Sequence, residues 1–281
     1  MTSKQADTTQ ALQQWLDGYR HSVGESAQIC SAVLDGVLAG ALDGPGGQAQ
    51  LLEILRILED LSADPRTMCC AMLWVAHQHG EDLAGWRAKL PDGVVKLLDE
   101  LLRLKQTESE NIPPGTERSA EGLRRLLLAL VRDVRVVLVA LAWQLVLLRG
   151  ARSGDDAARS LARETMLIHA PLANRLGVWQ LKWELEDLAF RYQEPEAYQR
   201  VARQVAERRS DRERFIGQFI SRLEHALSEA GIEAEVLVRP NHIYSIWKTM
   251  LRKGAEFGEI YDVYAIRVLV DEVRDCYAAL G

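Results

Sequence analysis

The chain has 281 residues, 48% hydrophobic and 26% charged, which is the composition of an ordinary folded protein of one large or two ordinary domains. Its formal net charge of −6 argues against a nucleic-acid coat protein, so any phosphate-binding patch must be sought locally. Of the four cysteines, Cys30, Cys69, Cys70 and Cys276, the adjacent Cys69 and Cys70 do not make a zinc CxxC; their apolar context reads as buried thiols and fits a reducing cytoplasm.

In chain order, residues 1–10 (MTSKQADTTQ) have no apolar core behind the lysine, hence no secretory signal, and read as a frayed polar arm. Helical periodicity runs from about Gln10 to Ala230, with breaks at Gly44–Gly47, near Asp64 and Pro65, at Pro91–Gly93 and across Gln106–Ser119. The last break, with two prolines and a glycine among polar residues, is the best candidate for a mobile loop. A long apolar helix is expected from about Ala120 to Arg149. Its most apolar part, Val136–Leu148, is too short to cross a bilayer and reads as a core helix, so no membrane is expected.

Leu181, Leu185, Leu188 and Tyr192 recur at i, i+4, i+7 and i+11, the pattern of a core-facing helix, with Lys182 and Glu186 as a solvated pair. Ser210 and Glu213 fit a capping box, and Phe215, Phe219, Leu223 and Leu227 mark one face of a helix stopped by Gly231. The character then changes. Glu233–Arg239 alternates like a strand, Ile243–Lys253 reads as a helix and Tyr261–Val270 as a second strand, with another helix from about Val273. This is the expected start of a β-α-β unit. Two strands and two helices do not close a domain, so the chain reads as an N-terminal piece of a longer protein. The expected fold is mainly α, a multi-helical domain followed by the start of an α+β domain.

The run Ile168–Arg209, IHAPLANRLGVWQLKWELEDLAFRYQEPEAYQRVARQVAERR, resembles the core helical segment of the long RelA/SpoT homologues, which make or degrade the alarmone (p)ppGpp. The resemblance implies an HD-type hydrolase domain over residues 1–165, a connecting helical segment over 166–231, and an incomplete nucleotidyltransferase-like synthetase domain over 232–281.

Active hydrolases of this family carry an AALLHDVVED-type run whose His and Asp hold a divalent metal that activates water. The matching run here puts Trp74 and Val75 at the His-Asp pair. The second motif, LADRLHNMR, matches Leu141–Arg149, where Trp143 replaces its Asp and the His and Asn are also apolar. The domain is therefore expected to be a pseudo-hydrolase. His77 and His79 are the rival metal reading, but their i, i+2 spacing puts them on different helix faces.

Arg239 opens RPNHIYSIWKTMLRKG, followed by YDVYAIRVLV, and these resemble the family's ATP-binding run RPKHIYSIxxKM and metal-bearing strand xFDxxAxR. The chemistry implied is transfer of the β,γ-pyrophosphoryl group of ATP to the 3′ hydroxyl of GDP or GTP. A helix N-terminus after a strand offers backbone N–H groups to phosphate, and Ser245 adds a hydroxyl. Lys248, Arg252 and Lys253 border the same face; without the resemblance they read as a solvated basic stripe. No P-loop occurs.

By the resemblance, Arg239, His242, Ser245, Lys248, Arg252 and Lys253 hold ATP, with Arg239 stacking on adenine, and Asp262 holds Mg²⁺. Arg267, five residues on from Asp262, alternates onto the opposite strand face. Asn241 replaces the usual Lys of RPKH, and Thr249 stands where many members have a second basic residue. The family's catalytic glutamate and guanosine-stacking tyrosine would follow residue 281. The chain alone is therefore expected to be inactive. The implied partners are the ribosome and uncharged tRNA, through a C-terminal region, and the reading is compatible with a homo-oligomer.

Overall fold

The computed structural model describes residues 3–23, 28–42, 44–110, 120–125, 132–152, 154–207, 209–259 and 264–280. The chain divides into two compact units, Met1–Leu185 and Glu186–Gly281. As expected, it is mainly helical.

The first unit opens with α1 (Ser3–Val23), so helix replaces the expected polar arm from Ser3 onward. Tertiary contacts extend it. Leu12, Leu16 and Tyr19 bury one stripe, Trp15 Nε1 donates to Glu59 Oε2 (2.7 Å), and Thr9 Oγ1 donates to Gln48 Oε1 (2.8 Å). α2 spans Gln28–Ala39 and α3 Pro45–Asp60. Gly46 and Gly47 lie inside the first turn of α3 rather than in a break, because Pro45 at its start has no N–H to leave unpaired.

α4 (Pro65–Gln78) is capped by Asp64, which accepts from the backbone N–H groups of Arg66 (2.9 Å) and Thr67 (3.3 Å). It is buried all round from Thr67 to Ala76 and, with α7 (Val134–Gly150), forms the middle of the unit. A short α5 (Ala84–Arg87) and the amphipathic α6 (Asp92–Glu110) lie between them in sequence.

Two boundaries differ from the periodicity. α6 continues through Gln106–Glu110 instead of yielding to a loop, since Glu108 extends the buried stripe of Leu97, Leu101 and Leu104, and Lys105 pairs with Glu108 at 2.6 Å. The rest of the expected loop, residues 111–119, lies outside the described residues. Nor does one helix run from Ala120 to Arg149. Residues 120–125 are helical, but α7 starts afresh at Asp133, whose extended backbone and carboxylate, accepting from Arg135 N, make it an N-cap.

Arg135 also reaches Asp64 (2.9 Å) and so joins the caps of α4 and α7. Burial pushes the Asp64 carboxyl up, but hydrogen bonds from Arg135 and Thr67 outweigh it and hold the group below its usual range. The thiols of Cys30 and Cys69 touch at 3.5 Å in the interior, and burial pushes the neighbouring Cys70 up to about 12. Among the described residues no helix is long and apolar enough to cross a membrane.

After α7 come α8 (Asp156–Glu164), a π-helical turn over Thr165–His169, α9 (Ala170–Arg175) and α10 (Trp179–Gln193). The apolar positions expected along α10 are buried at Leu181, Leu185 and Tyr192 and half-buried at Leu188, with Ala189 and Phe190 added to the buried set.

The second unit takes the end of α10, then α11 (Pro195–Glu207) and α12 (Arg209–Glu229). α12 starts one residue ahead of Ser210, which places Ser210 and Glu213 within the helix instead of as cap and third turn residue. It stops as expected at Gly231, whose φ of 71° suits glycine, while Ile232 N returns to Leu227 O (2.9 Å).

β1 (Ala234–Pro240), α13 (Ile243–Lys253), a 3₁₀ turn (Phe257–Glu259), β2 (Tyr264–Val270) and α14 (Val273–Leu280) complete the unit. The strands pair antiparallel, with Val236 opposite Val268 and Arg239 opposite Ala265. The strand-helix-strand order was anticipated, but the helix returns the chain to the end of β1 it had just left, and no parallel crossover forms.

Candidate functional site

The positions matched to the hydrolase motifs are packed apolar groups. Trp74 and Trp143 are 4% exposed and Val75 is fully buried, on the central helices α4 and α7. An indole and an isopropyl group offer a divalent cation no ligand. His77 and His79 are exposed and separately engaged: His77 Nδ1 lies 3.3 Å from Glu81 O, and His79 Nε2 lies 2.8 Å from Gln50 Oε1.

α13 carries the second set. Its inner face sets Ile246 against Val201 and Phe257, with Ile243, Trp247 and Met250 around them. Phe190 of α10 seats this face, its ring centroid 4.5 Å from Trp247 and 5.6 Å from Tyr244. The opposite face presents Ser245, Lys248 and Arg252. At 100° per residue they fall within about 60° of one another, with Lys253 at the border. Lys248, Arg252 and Lys253 are exposed, and Lys248 Nζ stands 5.9 Å from the Tyr244 ring centroid. The structure thus brings together the three residues that periodicity put on one face.

It corrects the start of the helix. The N–H groups of Ile243 (3.3 Å) and Tyr244 (2.8 Å) are not open to phosphate, because they donate to the carboxylate of Asp187 from α10. His242, at the N-cap position, also faces Asp187, with Nδ1 3.4 Å from Oδ2. The chain's own anion occupies the positive end of the helix. Thr249 spends its hydroxyl within α13, donating to Ser245 O at 3.0 Å.

Arg239 is placed by its backbone opposite Ala265, and Arg267 is exposed on β2 opposite Leu237. Asp262, the expected Mg²⁺ ligand, lies outside the described residues.

Asp187 was not legible as a functional residue, because its partners are 56 and 57 positions away and no local pattern marks a cap made across a fold. Asp187→Ala is expected to destabilise the second unit by about 1–2 kcal/mol, the worth of an N-cap. Asp187→Asn, which keeps an acceptor, should lose less. Urea unfolding, with hydrogen exchange at the Ile243 and Tyr244 amides, checks this; unchanged stability and exchange in Asp187→Ala would remove the capping role.

Comparison with known proteins gives two matched regions. Residues 44–179 match the HD domain family, and residues 238–281 match the region found in RelA/SpoT proteins. A GTP pyrophosphokinase of Photobacterium angustum is 38% identical across 98% of this chain and 38% of its own length. Those of Escherichia coli K12 and Haemophilus influenzae are each 40% identical across 82% of this chain and 32% of theirs. The chain thus spans about a third of the length of these relatives. Two matched regions in the family's order, with 38–40% identity over most of the chain, make it a member of the RelA/SpoT family.

Proposed function

We propose that the protein carrying this chain is a (p)ppGpp synthetase of the GTP pyrophosphokinase type, transferring pyrophosphate from ATP to the 3′ hydroxyl of GTP or GDP. The observation that carries the reading is the face of α13 that sets the half-buried Ser245 beside the exposed Lys248 and Arg252, inside the matched RelA/SpoT region of a chain 38–40% identical to GTP pyrophosphokinases. Those two cations would neutralise polyphosphate, with Arg239 against adenine and His242 and Lys253 flanking. Asp187 is committed to backbone amides, and by the family resemblance Asp262 is the residue that would hold Mg²⁺. Mg²⁺ held there would supply charge screening for the ATP phosphates.

In this reading the helical unit is hydrolase-dead, because Trp74, Val75 and Trp143 supply no metal ligands. The protein would act in the cytoplasm, with ribosome and uncharged tRNA as partners of regions beyond this chain.

The test has two arms. The full-length protein, with and without starved ribosomes, is expected to form pppGpp or ppGpp from ATP and GTP or GDP, and no product would refute the enzyme reading. Calorimetric titration with a non-hydrolysable ATP analogue and Mg²⁺ is expected to show binding that Asp262→Ala abolishes.

One feature favours a second reading, a regulatory member whose nucleotide site has decayed: Asn241 and Thr249 stand where family members carry cations, and the Thr249 hydroxyl is turned into its own helix. Absence of analogue binding would support it.

A further inference from the structure

In the helical unit, the end of α6 and the π-helical turn bring together Glu108, Glu164 and His169, with one donor atom of each within 4.8 Å of the other two. His169 is 2% exposed and Glu108 5%. Neither ring nitrogen of His169, nor Glu108 Oε1, has a hydrogen-bond partner. Nε2 and Oε1 meet as an ion pair at 2.6 Å, and Nδ1 lies 4.0 Å from Glu164 Oε1. The buried Nδ1 is thus left without a hydrogen-bond partner, which is costly and marks a place a ligand would fill.

The π-turn has a part in this. Glu164 and His169 are five residues apart, which on a regular α-helix sets them about 140° apart. The wider turn, closed by Ala170 N donating to Thr165 O, swings them to one side. It is held open by other side chains. Arg124 donates to Leu167 O (2.7 Å), and Gln144 donates to Thr165 Oγ1 (3.0 Å), which itself donates to Leu161 O (2.8 Å).

Lys105 takes the other carboxylate oxygen of Glu108, Oε2, at 2.6 Å and leaves Oε1 facing His169. Glu164, with its side chain 24% exposed, opens the cluster to solvent and gives an ion a way in.

We propose that Glu108, Glu164 and His169 form a divalent transition-metal site, of Zn²⁺ or Mn²⁺ class, that ties the end of α6 to the π-turn. One imidazole nitrogen and two carboxylate oxygens are the donor set such ions accept, and a fourth position is left to water. The residues are not those of the HD motifs, so the site is independent of hydrolase chemistry and of the nucleotide reading.

The experiment uses untagged protein stripped with chelator, incubated with Zn²⁺ or Mn²⁺, gel-filtered, and assayed for bound metal by elemental analysis, with circular dichroism as the folding check. Unmodified protein and Asp262→Asn are expected to retain one equivalent, while His169→Gln and Glu164→Gln lose it and no longer gain thermal stability from the ion. Glu164→Gln alters a partly exposed side chain and remains decisive if His169→Gln misfolds. No retained metal in the unmodified protein, retention in a folded Glu164→Gln, or loss in Asp262→Asn would each overturn the proposal; the first leaves Glu108 and His169 as an ion pair only.

Discussion

Val75→Asp is expected to destabilise the helical unit by about 3–5 kcal/mol at neutral pH, the cost of an uncompensated buried charge. Val75 is fully buried on a helix whose residues from Thr67 to Ala76 are all buried. The new carboxyl would enter a site packed for an isopropyl group, beside Trp74 and without the second motif's acid, because Trp143 stands there. The sign with pH follows. Burial raises the folded-state pKa of the new acid above its unfolded value of about 3.9. The penalty is therefore full above the folded pKa and fades as pH falls toward the unfolded one. Urea unfolding at pH 7 and pH 4.5 measures both; equal loss at the two values, or loss below about 1 kcal/mol, would show that a polar pocket persists there.

Phe190→Ala is expected to cost the second unit about 3–5 kcal/mol, the usual range for a buried Phe truncated to Ala. Phe190 is 2% exposed, and its ring contacts those of Tyr198, Tyr244 and Trp247. Two of those partners belong to α13, so the cavity would open beneath the helix that presents Lys248 and Arg252. Urea unfolding and faster hydrogen exchange along α13 check the packing, and weaker binding of the ATP analogue checks its link to the site. Phe190→Leu, which refills much of the volume, should recover most of the stability. Equal stability of Phe190→Ala and the unmodified protein would show that α13 is seated by Ile246, Val201 and Phe257 alone.

Much of the architecture was legible because it follows from period and punctuation. The buried character of α7, the break near Asp64 and Pro65, the stop at Gly231 and the bounds of α13 are local properties, set by apolar spacing, helix punctuation and a residue that tolerates positive φ. The misses share a cause. Gln106–Glu110 looked like loop because its side chains are polar, yet Glu108 is buried by contact with His169, on a distant part of the chain. The polar start of α1 looked frayed, yet the helix is carried by the docking of Trp15 against Glu59. The unbroken run from Ala120 to Arg149 concealed the restart at Asp133, which is seen once Arg135 reaches across to Asp64.

Family and helical content were determined by the sequence alone, because they depend on which residues are present and in what order. Tertiary structure alone decided that Asp187 fills the N-terminus of α13 and that Glu108, Glu164 and His169 converge at a π-turn. Each depends on charged or polar groups finding partners far along the chain or across an irregular turn, and neither distance nor alignment is encoded in local spacing.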